Sequence, residues 1–201
     1  MKLLLHTCCA PCLLAPLREL RKNGFTVSGF FYNPNIHPST EYQNRRKSVE
    51  VLSSQREVEV IFGDYDLISY FRKINNHEDP QERCPLCWRL RLEETARLAK
   101  EKGFEYFSTT LLVSPYQDLQ VIKTLGEEIG KSLGVKFYYA DWRQLFRQAH
   151  DEAKQMGLYC QKYCGCIFSE WERQVKIPNP KHPALPAGRQ SPNLQSPKPT
   201  V

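Results

Sequence analysis

The sequence contains no run approaching ~18 apolar residues, which excludes a membrane-spanning helix. It also has little that reads as a leader. The opening MKLLL gives way at once to His6, Thr7 and two cysteines, an apolar stretch too short for a signal peptide. No internal repeat is visible, and the chain is expected to be cytoplasmic. Acidic residues are missing from residue 177 onward, where Lys181, Arg189 and Lys198 carry half of the net charge of +6. The remaining +3 is weak ground for nucleic-acid binding. The same stretch lacks aromatics and holds seven of the 14 prolines, a composition that cannot pack a core. Residues 177–201 are therefore expected to form a disordered tail behind one domain, residues 1–176. With 41% apolar and 25% charged residues, a chain of 201 residues can bury a real core without covalent staples.

What the sequence has in excess is cysteine. The eight are Cys8, Cys9, Cys12, Cys84, Cys87, Cys160, Cys164 and Cys166, bunched in three groups separated by long stretches of ordinary helix and strand pattern. A secreted disulfide scaffold spreads its cysteines over a short chain that lacks a core. Bunching in a reducing compartment points instead to metal ligation or redox catalysis.

Apolar periodicity predicts strands over 2–6, 25–32, 57–62, 104–109 and 135–140. Helices are predicted over 12–23, from Ser39 or Thr40 as N-cap to about 55, and over 66–74, 85–102, 117–133 and 142–155. This alternation implies an α/β fold, a Rossmann-like doubly wound, mostly parallel sheet of about five strands. Ligands of such sheets sit beyond the carboxyl ends of the strands. Residues 7–12, 33–39 and 109–117 fall there. Cys84 and Cys87 are expected to open a helix, where free N–H groups and the positive dipole end stabilise thiolates.

Each cysteine group has more than one chemistry open to it. Cys9 and Cys12 form a C-x-x-C with an internal proline, the pattern of a dithiol or of half a zinc site. Cys8 beside them argues against a simple dithiol, and three sulfurs on five residues suit a polynuclear centre. Cys84 and Cys87, at i and i+3, share a helix face and can meet one centre. In Cys164-Gly165-Cys166 the glycine permits the strain of a very short disulfide loop, with metal ligation as the rival. His6 reads as structural, and Asp64, Asp118 and Asp141 as caps or turn closers as readily as proton donors. Two further activities stay open on these features alone: a thiol-disulfide oxidoreductase using Cys9 and Cys12, and a zinc-stabilised nucleic-acid-binding module.

Taken together and in order, the motifs say more. HTCCAPC at 6–12, YNPNIHP at 32–38, RCPLCWRLRL at 83–92, TTLLVSPYQD at 109–118 and QKYCGCIFS at 161–169 resemble the cobalamin-independent epoxyqueuosine reductases, the QueH type. The resemblance runs from about residue 2 to residue 170. It implies an enzyme that reduces epoxyqueuosine to queuosine at the wobble position of tRNA, the last step of queuosine synthesis. It further implies a 4Fe–4S cluster held by Cys8, Cys9, Cys84 and Cys87, and a redox-active disulfide of Cys164 and Cys166. An additional iron is part of the same expectation, with Cys12 or a nearby carboxylate serving it. The partners it implies are tRNA carrying epoxyqueuosine and an external electron donor. No cobalamin-binding sequence is apparent. The family's pattern has a basic residue where this chain has Cys160, so that cysteine is left outside the site. Converting an epoxide to an alkene releases the oxygen as water and takes two electrons and two protons, which a cluster passing one electron at a time supplies only with help.

Overall fold

Leu3, Leu4 and Leu5 have no solvent exposure, so the first strand is covered on both faces, as a central strand of a parallel sheet must be. The computed structural model describes residues 1–175. The tail expected from residue 177 lies outside the described residues. Five strands, β1 (Lys2–His6), β2 (Thr26–Phe31), β3 (Val60–Phe62), β4 (Tyr106–Thr109) and β5 (Lys136–Phe137), form one sheet in the order β3-β2-β1-β4-β5. Every neighbouring pair is parallel, and β1 is registered on both sides, Leu5 opposite Gly29 and Ser108. The doubly wound architecture read from the sequence is the one found.

Among the described residues, seven helices connect and cover the strands: α1 (Ala10–Lys22), α2 (Ser39–Gln55), α3 (Leu67–Ile74), α4 (Pro80–Glu101), α5 (Leu119–Leu133), α6 (Phe146–Gln155) and α7 (Ile167–Gln174). Right-handed crossovers put α1 and α2 on one face and α4 and α5 on the other. Accordingly α1 packs on α6 and α2, while α4 packs on α5, α3, β1 and β4. Helix α5 lies close on the sheet edge because Gly130 carries no side chain. A Cβ there would stand 2.6 Å from the Val135 carbonyl oxygen.

Several boundaries differ from the sequence expectation: α1 starts at Ala10 and α5 at Leu119, against 12 and 117, and β3 and β5 span only Val60–Phe62 and Lys136–Phe137, against 57–62 and 135–140. Helix α4 starts at Pro80, five residues before residue 85, because Asp79 caps it by accepting the Gln81 N–H and Pro80 fits its first turn. Pro85 is therefore inside the helix, and Cys84 and Cys87 do not open it. Helix α2 begins at Ser39 behind Pro38, so neither Ser39 nor Thr40 caps it. The segment expected as one helix over 142–155 begins with a 3-10 turn, Arg143–Leu145, before α6. A second 3-10 turn, Thr110–Val113, and helix α7 were not foreseen.

Candidate metal and thiol centre

The strand sequence runs outward from β1 through β2 to β3 and then restarts on the other side at β4. The crevice between β1 and β4 is thus the switch point of the sheet, where ligands of this architecture bind. Cys8 and Cys9 leave β1 there and Thr109 and Thr110 leave β4. The two turns are tied together: the Cys8 N–H donates to Thr110 Oγ1 at 3.1 Å, and that hydroxyl donates to Cys8 Sγ at 3.3 Å. Cys9 occupies the N-cap of α1 without capping it through its side chain. The positive end of a 13-residue helix therefore lies at this turn, in the role expected for Cys84 and Cys87.

The sulfurs of Cys8, Cys9 and Cys12 all lie within 4.8 Å of one another, and those of Cys8 and Cys9 are 3.7 Å apart. A tetrahedral ion with sulfur bonds of about 2.3 Å separates its ligand sulfurs by roughly 3.8 Å. Three buried, soft donors at this spacing fit a single soft ion such as iron or zinc. The three thiols compete for protons. Hydrogen bonds from Cys12 and Cys9 hold Cys8 well below the usual thiol range. Burial pushes Cys9 up, and donation to Cys8 pushes Cys12 up. Gln161 Nε2 reaches in from the loop before α7 and donates to Cys9 Sγ at 2.9 Å.

The other cysteines assemble beside this turn. Cys87 and Cys166 share a buried cluster with Tyr70 and Ile74. Burial raises the Cys87 thiol to about 11, against the pull of the Arg91 guanidinium. Burial likewise raises Cys164 to about 12, with Cys166, Cys84 and Cys87 all adding to the rise. Cys84, Cys87, Cys164 and Cys166 are therefore electrostatic neighbours. Cys164 and Cys166 stand as thiols, so the disulfide that the resemblance implies is not formed in this structure. Gly165 has φ +137°, a conformation that a side chain opposes, so the glycine between the cysteines is a backbone requirement. Cys160 stays apart, its thiol directed to the Leu158 carbonyl at 3.6 Å.

Five contacts, made by four residues, fix the Cys164–Cys166 loop. Arg45 donates to the carbonyl oxygens of Cys164 and Tyr163, each at 3.0 Å, and is held in turn by Glu41 at 2.7 Å. The His37 N–H donates to the Gly165 carbonyl at 2.8 Å. The Tyr163 hydroxyl donates to the His37 carbonyl. Gln117, its oxygen fixed by the Trp88 indole N–H at 3.0 Å, brings its amide nitrogen to 4.0 Å from Cys164 Sγ.

The softer sequence candidates take structural parts. His6 spans Thr109 Oγ1 at 2.9 Å and the Tyr32 carbonyl at 3.2 Å, and burial keeps it neutral with a pKa of about 4. Asp118 caps α5, and Asp141 is engaged with Arg143. Sequence reasoning missed Gln161, Arg45 and Arg91. Arg45 carries one local signal, its i,i+4 spacing from Glu41, but that pattern reads as a surface pair until burial is known.

A sequence model described as "Epoxyqueuosine reductase QueH" matches residues 3–172. Among curated relatives, the epoxyqueuosine reductase QueH of Dehalococcoides mccartyi is 40% identical over 180 residues, covering 89% of this chain and 98% of the relative. That of Thermotoga maritima is 38% identical over 181 residues, covering 86% and 92%. In fold, the chain is similar to the U34-tRNA thiolase NcsA from Methanococcus maripaludis with its [4Fe-4S] cluster. The TM-score is 0.58 at 13% identity, over 88% of this chain and 64% of that one.

Proposed function

The chain belongs to the epoxyqueuosine reductase QueH family, and from that premise we propose how its own residues divide the work. The reaction is reduction of epoxyqueuosine to queuosine in tRNA. Cys8, Cys9, Cys84 and Cys87 hold a 4Fe–4S cluster, and Cys12, packed against Cys8 and Cys9, serves an adjacent iron. The observation that carries this reading is the buried set of soft donors at the switch point of the sheet. A cluster bound there supplies electrons one at a time. Oxidation of the Cys164 and Cys166 thiols to a disulfide releases two electrons and two protons. That equals what the epoxide consumes in becoming an alkene and water, and an external donor then restores the dithiol. The Thr110 hydroxyl and the Gln161 amide orient the Cys8 and Cys9 sulfurs, and Arg45 holds the Cys164 backbone in place. No helix among the described residues is long and apolar enough to cross a membrane, and we place the enzyme with its tRNA in the cytoplasm.

One observation favours a second arrangement. Cys164 and Cys166 neighbour Cys84 and Cys87, so these four can be the cluster ligands, leaving the compact set of Cys8, Cys9 and Cys12 to a single iron. Anaerobic reconstitution with iron and sulfide, followed by nucleoside analysis of tRNA carrying epoxyqueuosine, tests the function. Queuosine formation by iron- and sulfide-loaded protein is expected; stoichiometric zinc without labile sulfide refutes it. Cys164→Ser and Cys166→Ser decide between the arrangements. Loss of turnover with the cluster spectrum retained supports the dithiol, and loss of the cluster makes the pair ligands.

A further inference from the structure

Among the described residues, three arginines are essentially without solvent exposure: Arg45 and Arg91 at 1% and Arg83 at 2%. Two of them have a carboxylate. Arg45 meets Glu41 at 2.7 Å and Arg83 meets Glu172 at 2.8 Å. Arg91 has none among the described residues. Its Nε donates to the Cys87 carbonyl at 3.1 Å, within its own helix, and its Nη2 is buried without a hydrogen-bond partner. A guanidinium keeps its charge in any protein environment, so an interior one must be balanced by an anion or remain a large desolvation penalty.

The groups that face Arg91 say where that anion belongs. Cys84, Cys87 and Arg91 are spaced i, i+3 and i+7 along α4 and so share one face of the helix. The charge of Arg91 acts on Cys87 from that face, on Cys164 from the loop before α7, on Cys8 from the turn after β1 and on Tyr70 from α3. All three cysteines belong to the proposed redox machinery, and each contributes negative charge only as a thiolate. At 1% exposure the guanidinium is out of reach of a tRNA phosphate, so its partner is internal.

We propose that Arg91 is the counter-cation of the metal–thiolate centre and holds its reduction potential up. The inference rests on the reading that these thiols bind an iron–sulfur centre. Reduction adds an electron beside the guanidinium and is favoured by it, while the metal-free protein carries the cation with its compensation incomplete. Arg91 is a positioning and tuning residue, and its effect is on the energy of the centre.

The test uses the full chain, wild type, Arg91→Met and Arg91→Lys, each metal-free and after anaerobic loading with iron and sulfide. Three quantities are read: iron and sulfide per chain, the midpoint potential by electron paramagnetic resonance during redox titration, and the melting temperature of both forms. Arg91→Met is expected to shift the centre about tenfold toward its oxidised form, about 59 mV to the negative side for one electron. Arg91→Lys is expected to stay near wild type. Metal-free Arg91→Met is expected to melt no lower than metal-free wild type, while its loaded form melts lower than loaded wild type. Failure of Arg91→Met to load, with loading by Arg91→Lys, equally supports a requirement for the charge. An unchanged potential in fully loaded Arg91→Met overturns the proposal. So does equal destabilisation of both forms, which marks a packing role, or loss of the centre in Arg91→Lys as well. If wild type itself takes up no iron and sulfide, it is the functional reading that has failed.

Discussion

Replacing Arg45 by methionine should loosen the Cys164–Cys166 loop more than any surface change of equal size. The side chain is 1% exposed and satisfies three acceptors: Glu41 at 2.7 Å and the carbonyls of Cys164 and Tyr163 at 3.0 Å each. Methionine fills much of the volume but leaves a carboxylate buried without its cation. Breaking a buried pair from one side costs about 3–5 kcal/mol. The two orphaned carbonyls add to this only in part, since the loop relaxes toward water. At roughly 2–4 °C per kcal/mol for a domain of this size, the melting temperature should fall by about 10 °C. The partner variant Glu41→Gln in the same background removes the uncompensated charge and should recover a substantial part of the loss. Urea titration of the four members of this cycle gives the coupling, and labelling by a thiol reagent gives the accessibility of Cys164. Cys164 should react faster in Arg45→Met at a denaturant concentration where the rest of the protein is folded. A fall of less than about 2 °C, or a double variant that loses the sum of the two single losses, would refute the claim that this pair anchors the loop.

Other consequences follow from single residues. Cys9→Ser should lower iron content sharply, since a hydroxyl is a poor ligand for soft iron, while Cys160→Ser should leave it near wild type; the reverse order in an iron assay removes the ligand assignment. Gly165→Ala should destabilise the protein by about 1–3 kcal/mol, because φ +137° opposes a side chain and its Cβ would stand 3.0 Å from Ile36 Cγ1; unchanged urea midpoints contradict this. His37 is buried, and burial lowers its pKa from 6.5 to about 4. The unfolded chain then binds the extra proton first, so this contribution to stability is complete above about pH 6.5 and is lost as pH falls toward 4. Its full extent is about 3 kcal/mol. Urea midpoints of wild type and His37→Phe should converge or cross between pH 7 and pH 4.5; parallel curves rule the effect out.

The parts of the fold that were legible in the sequence are those that local pattern determines. Leu3, Leu4 and Leu5 form a continuous apolar run because a central parallel strand is covered on both faces, and Gly24, Gly103 and Gly134 mark where helices stop. The start of α4 was misplaced because Pro85 is the more conspicuous proline, whereas the Asp79–Pro80 pair before it supplies both cap and first turn. The cysteines announced the site by their bunching. Gln161, Arg45 and Arg91 did not, since an amide or a guanidinium in a polar stretch looks the same on the surface as in the interior. Only the tertiary structure reveals that two of the three cations are balanced by carboxylates and the third faces sulfur.

The early start of α4 bears on how a cofactor reaches this protein. In small zinc modules the ligand loop is unformed without metal, and binding and folding are one event. Here Cys84 and Cys87 ride on a 22-residue helix that packs on two strands of the sheet, so their spacing is fixed by backbone hydrogen bonds and a hydrophobic interface before any ion arrives. The other side of the centre, the turn after β1 and the loop before α7, is likewise held by Thr110 and Arg45, so the chain forms its receptacle by folding alone. Such a receptacle suits transfer of a preassembled cluster from a carrier. On the proposed reading that a cluster binds there, the polypeptide is expected to keep its fold when the cluster is lost and to accept it again.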